Sequence, residues 1–157
     1  MTENFEKKLE SIDFENDVSI NKFRLDEECI TQPALYLRYG ELAMEAKTEV
    51  SNADDKLKLI IAEKNLAIRQ RYINNAVKYT EGVIESEVNR DPEVLEARKA
   101  LRESQETLAR LQVAVSAMET KRAELDNLVK LYVAGYFAAG ETAEKVVKNE
   151  IRKSLNK

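Results

Sequence analysis

Apolar positions recur every seven residues through the second half of the chain. Val94, Leu101, Leu108, Val115, Arg122 and Val129 form one series, and Ala97, Ser104, Leu111, Met118, Leu125 and Tyr132 fill the positions three residues later. A seam sustained this long predicts one long coiled-coil-like helix. Its start is marked by Asp91-Pro92-Glu93, an N-cap acid, a proline at the first helical position and an acid in the first turn. The pattern runs to about residue 139, loosening at Gly135. At 1.5 Å per residue such a helix is about 70 Å long, so it needs a second long helix beside it. Arg122 interrupts the seam as a polar register-setter, a snorkelling side chain or a ligand contact inside an assembly.

The preceding segment, from about 53 to 88, is apolar on two sides. Projected at 100° per residue, Leu57, Ile61, Ile68 and Tyr72 share one arc, and Leu59, Leu66, Ile73 and Val77 lie nearly opposite. Lys64, Arg71 and Lys78 fill one intervening stripe, and Lys58 and Arg69 the other. A helix with two apolar faces packs against two neighbours. One is the heptad helix of the same chain; a second subunit fits the other, which makes the protein a homo-oligomer.

Upstream, Phe5, Leu9 and Ile12 lie on one face of a short helix, and Asp17 to Asn21 reads as extended. Thr31 or Gln32 caps a helix with Pro33 in its first turn, carrying Leu35, Tyr36, Tyr39, Leu42 and Ala46. Ser51 with Asp54 is either a capping box or part of a helix that runs through; we place a bend there. After Gly140, a short basic amphipathic helix or tail over 141–157 has Val147, Ile151 and Leu155 on one face. It can dock on the body, contact phosphate or stay mobile. One helical domain over 1–140 is expected, with an acidic segment at 1–31, the basic helix at about 53–88 and the heptad helix at about 92–139.

Composition agrees with an all-α, elongated helical hairpin or bundle. The chain is 34% charged with four glycines and two prolines, and Ala, Glu, Lys, Leu and Arg dominate. It contains no histidine, which removes the Glu-x-x-His pair of di-iron bundles, His-based zinc sites and any His-activated nucleophile. No glycine-rich phosphate loop is present either. A non-enzyme without cofactor or metal is expected. Cys29 is the only cysteine, expected as a small buried apolar side chain, and it permits no internal disulfide. The first residues do not read as a signal peptide, and no apolar run approaches the roughly 18 residues of a membrane span. A soluble, cytoplasmic protein follows as the expectation.

Charge is unevenly placed. Residues 56–79 hold six basic side chains against Glu63, a net +5 in a chain whose total is −4. With Tyr72 and Tyr79 interleaved, this segment suits a polyanion such as single-stranded nucleic acid, and the acidic remainder favours a confined groove over indiscriminate coating. Lys58, Lys64, Arg69, Arg71 and Lys78 are the candidate DNA-binding residues. Arg69 and Arg71 project about 200° apart, so either the helix end distorts near Asn74-Asn75 or the two serve different surfaces, DNA and a subunit interface. The bland alternative is a solvated face whose charges pair with carboxylates on adjacent helices. A coiled-coil adaptor or scaffold that binds other proteins and no nucleic acid is the competing function.

Four landmarks fall in a familiar order. Asp17-Val18-Ser19-Ile20-Asn21 with Leu25, and then Leu35-Tyr36-Leu37-Arg38-Tyr39, resemble the opening of the phage recombination mediator family, the UvsY type. Glu63 to Tyr72 resembles that family's DNA-binding motif, with Arg69, Gln70, Arg71 and Tyr72 at its close. Asp91 to Leu95 and Lys121 to Leu125 follow in family order. The resemblance spans roughly 17–137. It departs by about two extra turns before the basic motif, by Gln70 where a small residue is usual, and by the tail. It implies a ring-forming homo-oligomer with a heptamer as precedent. The implied function is to bind single-stranded DNA in recombination and repair, help displace the single-strand-binding protein and load a RecA-like recombinase. If phage-encoded, the protein would act in the host cytoplasm.

Overall fold

The computed structural model describes residues 3–136, and every regular element among them is a helix: α1 (Glu3–Glu10), α2 (Phe14–Val18), α3 (Leu25–Asn74), α4 (Glu81–Arg90) and α5 (Pro92–Val133). The all-α expectation holds. The described residues form two compact units, 3–12 with 38–115, and 13–37 with 116–136.

In the first unit, α3 and α5 lie antiparallel. Leu42 and Ala46 meet Leu111, with Phe5 of α1 completing the cluster and Leu9 and Ile12 packed against it. The expected apolar face of the first helix is therefore in place. A second cluster joins Leu57 and Ile60 of α3 to Ile84 and Val88 of α4 and to Val94 and Ala97 of α5. Ile84 is fully buried. Burying such a side chain stabilises by about 1.5–3 kcal/mol, which explains how a ten-residue helix with little intrinsic stability holds its place.

In the second unit, the first turns of α3 pack on the last turns of α5. The buried Gln32 donates from Nε2 to the Met118 carbonyl at 2.9 Å, and the Tyr36 hydroxyl donates to Glu119 at 3.0 Å. Lys121, its side chain 3% exposed, pairs with Glu28 at 2.8 Å and donates to the Asp17 carbonyl at 2.9 Å.

Several boundaries differ from the sequence reading. Helix α3 begins at Leu25 rather than after Thr31 or Gln32, and runs through Ser51 without a bend. Its first turn holds Asp26, Glu27 and Glu28, which suit a helix N-terminus, whereas Pro33 lies inside the helix on an exposed face. Asp17 and Val18 belong to α2, which Asp13 caps by accepting from the Asn16 N–H at 3.2 Å, so Asp17 to Asn21 is not one extended stretch. Cys29 is exposed, not buried.

The basic helix stops at Asn74 instead of continuing to about 88. Ala76 adopts φ 53°, its N–H bonds the Ile73 carbonyl at 3.0 Å, and Val77 N–H bonds the Tyr72 carbonyl at 3.1 Å. This is a Schellman stop with alanine at the position glycine usually takes, so no glycine or proline betrays it. Asp91 caps α5 as expected, accepting from the Glu93 N–H at 2.9 Å. Helix α5 ends at Val133, before Gly135 at φ 74°. The basic segment 141–157 lies outside the described residues.

The heptad seam of α5 holds only in part. Val94, Ala97, Ser104 and Leu111 are buried with Leu101 and Leu108 half-buried, but from there the buried positions are Ala114, Met118, Lys121 and Leu125. The step from Leu108 to Leu111 to Ala114 is three and three, a stammer in the repeat. Arg122 and Val129 are exposed as a result, and the buried charge in the seam is Lys121.

Candidate nucleic-acid interface

The last four turns of α3 carry the basic cluster, and α4 folds back over them. Ile68 and Tyr72 of α3 pack with Ile61 against the cluster that holds Ile84 and Val88. At 100° per residue, Arg69 and Arg71 stand about 80° to either side of that packed arc. The two arginines therefore flank α4. Arg69 donates from Nη1 to Glu81 Oε1 at 2.8 Å and from Nη2 to Glu81 Oε2, a bidentate pair, and its Nε donates to Asn65 Oδ1 at 2.6 Å. Arg71 donates to Glu87, which also accepts from the Tyr72 hydroxyl at 2.5 Å. Lys64 pairs with Glu93 at 2.6 Å and with Asp91 at 3.4 Å, at the start of α5.

These contacts recast the electrostatics of the segment. Three cations, Lys64, Arg69 and Arg71, face four carboxylates, Glu81, Glu87, Asp91 and Glu93, so the cluster is closer to neutral than the +5 of the linear segment suggests. Hydrogen bonding from Arg69 holds Glu81 below the usual carboxylate value. The Tyr72 hydroxyl, followed by Arg71, does the same for Glu87. Lys64 is raised, chiefly by its bond to Glu93, and Arg69 by Glu81. At Asp91, desolvation pushes upward but is outweighed by the Glu93 backbone N–H and by Lys64, leaving the group lowered.

The other candidates are placed differently. Lys58 pairs along its own helix with Asp54 at 2.5 Å and with Asp55 at 3.8 Å. Lys78 lies beyond the helix end, exposed, so the stripe expected to join Lys64, Arg71 and Lys78 along one helix is cut at Asn74. Tyr72 and Tyr79 sit 5.4 Å apart between ring centroids, and both pack against the apolar cluster. They are structural side chains rather than open stacking platforms.

The two-faced character of the helix is real over its ordered turns. Opposite the α4 side, Leu59, Leu66 and Ile73 are 59%, 70% and 59% exposed, an apolar stripe with none of the described residues covering it. Among the described residues no group of His, Cys, Asp or Glu is placed to hold a metal ion, and no helix is long and apolar enough to cross a membrane.

No protein-family model and no curated protein sequence matches the chain. Solved structures do. A crystal structure of the bacteriophage T4 recombination mediator protein UvsY, lattice type IV, aligns with a TM-score of 0.68 at 16% identity, covering 82% of this chain and 96% of that one. A second crystal form, lattice type I, aligns at 0.63 and 15% identity, covering 83% and 98%. The chain has the UvsY fold. At this identity the likeness concerns the path of the helices, and the roles of individual side chains rest on the contacts described above.

The sequence missed Glu81 and Glu87 as partners of the basic cluster. Reading one unbroken helix to 88 carried both carboxylates past the arginines instead of back over them. The available signals were Asn74-Asn75 and then Val77 to Thr80, which is non-helical.

Proposed function

We propose that this protein is a non-catalytic recombination mediator that binds single-stranded DNA with little sequence preference, helps displace the single-strand-binding protein and loads a RecA-like recombinase. The UvsY fold carries the reading, supported by arginines that flank a helix at its exposed edges. Arg71, 57% exposed with one carboxylate partner, and Lys78, with no ion pair or hydrogen bond among the described residues, are the most available cations. Arg69 follows. Lys64, 28% exposed and held by two carboxylates, is the most committed to the fold, and Lys58 contributes from the other side.

Self-association is part of the same reading. The stripe of Leu59, Leu66 and Ile73 gives a second copy an apolar surface beside the cations, and a ring of copies multiplies modest sites by effective concentration. The adaptor alternative would use that stripe without any role for the arginines.

Fluorescence anisotropy on a mixed-sequence single strand at two salt concentrations tests the function. Affinity is expected to fall steeply with salt, about −0.7 in log–log slope per phosphate neutralised. Arg69→Ala with Arg71→Ala should weaken binding and flatten the slope by about 1.4, with the mass by light scattering unchanged. No binding by the wild type at low salt favours the adaptor.

A further inference from the structure

We propose that Glu81 and Glu87 of α4 compete with DNA phosphate for Arg69 and Arg71, so that α4 is an internal anionic guard that weakens the site it covers. The inference deepens the nucleic-acid reading and rests on it. Three observations carry it.

The first is geometric. Each arginine already makes the contact that a phosphate would make: two parallel donors from Arg69 to the two oxygens of Glu81, and a donor from Arg71 to Glu87. Guanidinium groups bind carboxylate and phosphate in the same fork, so neither arginine can keep its carboxylate and bind DNA through the same donors.

The second is exposure. Glu81 is 74% and Arg71 57% exposed, and their partners Arg69 and Glu87 are half-buried at 32% and 34%, so each pair has one side open to solvent where an incoming strand can reach it. Ion pairs of that kind contribute little to folding. Helix α4 is anchored instead by the buried Ile84 and Val88, and its acidic side chains can let go while the helix stays seated.

The third is stoichiometry. Four carboxylates attend three cations, more than neutralisation requires. A tethered carboxylate competes at an effective concentration in the millimolar range. A lone nucleotide or inorganic phosphate is then a poor competitor, whereas a strand that supplies many phosphates at once displaces the guard. The result is a site selective for polymer and deliberately weak for each subunit. That weakness suits a protein that must pass its strand to another.

The test is anisotropy of a labelled oligothymidylate with the full chain, comparing wild type with E81Q/E87Q. Glutamine keeps an acceptor oxygen for Tyr72 and removes the charge. The double variant should bind about tenfold tighter at low salt, with a log–log salt slope close to that of the wild type, because the same two phosphates are neutralised once the strand has displaced the guard. Adding R69Q/R71Q should abolish the gain. A control with the same charge change, E85Q/E106Q, alters two exposed glutamates outside the pairs and should bind nearly as wild type does. Equal tightening by the control, or tightening that survives loss of both arginines, overturns the proposal in favour of bulk charge. Wild-type binding that E81Q/E87Q leaves unchanged overturns it too, while the function stands. No binding by either protein defeats both. Should the double variant unfold, E81Q alone carries the test with a gain of about threefold.

Discussion

Lys121 and Arg69 are both cations held by a glutamate, in opposite surroundings. The Lys121 side chain is 3% exposed, and its partner Glu28 is 18% exposed. Arg69 is 32% exposed and its partner Glu81 74%. Behind Lys121 stands a second contact, the Asp17 carbonyl, which completes a closed site. Water reaches Glu81 freely. The difference teaches how to read a paired charge: burial commits it to the fold, whereas exposure leaves it available to another anion. An ion pair in a list of contacts does not by itself say which.

The comparison breaks first at Glu28. Replacing it by alanine leaves a buried lysine uncompensated and should cost about 3–5 kcal/mol, read as a fall in the urea midpoint. Glu81→Ala should leave that midpoint close to wild type. Equal losses from the two substitutions would erase the distinction between the sites.

Ile84→Ala sharpens it from the other side, because it removes an anchor of α4 without touching a charge. A loss of about 2–5 kcal/mol is expected, with faster hydrogen exchange at the α4 amides. If those amides keep their protection, the ion pairs and not the apolar side chains hold α4, and the guard could not open while its helix stays seated.

Much of the fold was legible in the chain. The seven-residue repeat from Val94 to Leu111 located the α5 seam, and Asp91-Pro92 located its start. The arc of Leu57, Ile61, Ile68 and Tyr72 named the packed face of α3, and Leu59, Leu66 and Ile73 the open one. What was not legible had local causes. The stammer after Leu111 is invisible because Val115 and Val129 are as apolar as their neighbours, and a count of sevens has no reason to leave them. Ala76 in a left-handed turn gives no warning, since alanine is a strong helix former. That one residue hid the return of α4, and with it the acidic side of the candidate site. Lys64, Arg69 and Arg71 were named among five candidates, on two separate stripes, but their partners lay across a turn that periodicity could not detect.

The central claim is that single-stranded DNA engages the end of α3 and releases its arginines from α4. Amide hydrogen exchange of the full chain, with and without oligothymidylate at low salt, tests it most directly. The account predicts changed protection confined to the end of α3 and to the turn and first residues of α4, with α4 around Ile84 and Val88 still protected. Binding that leaves those segments unchanged and alters protection only in 141–157 would contradict it.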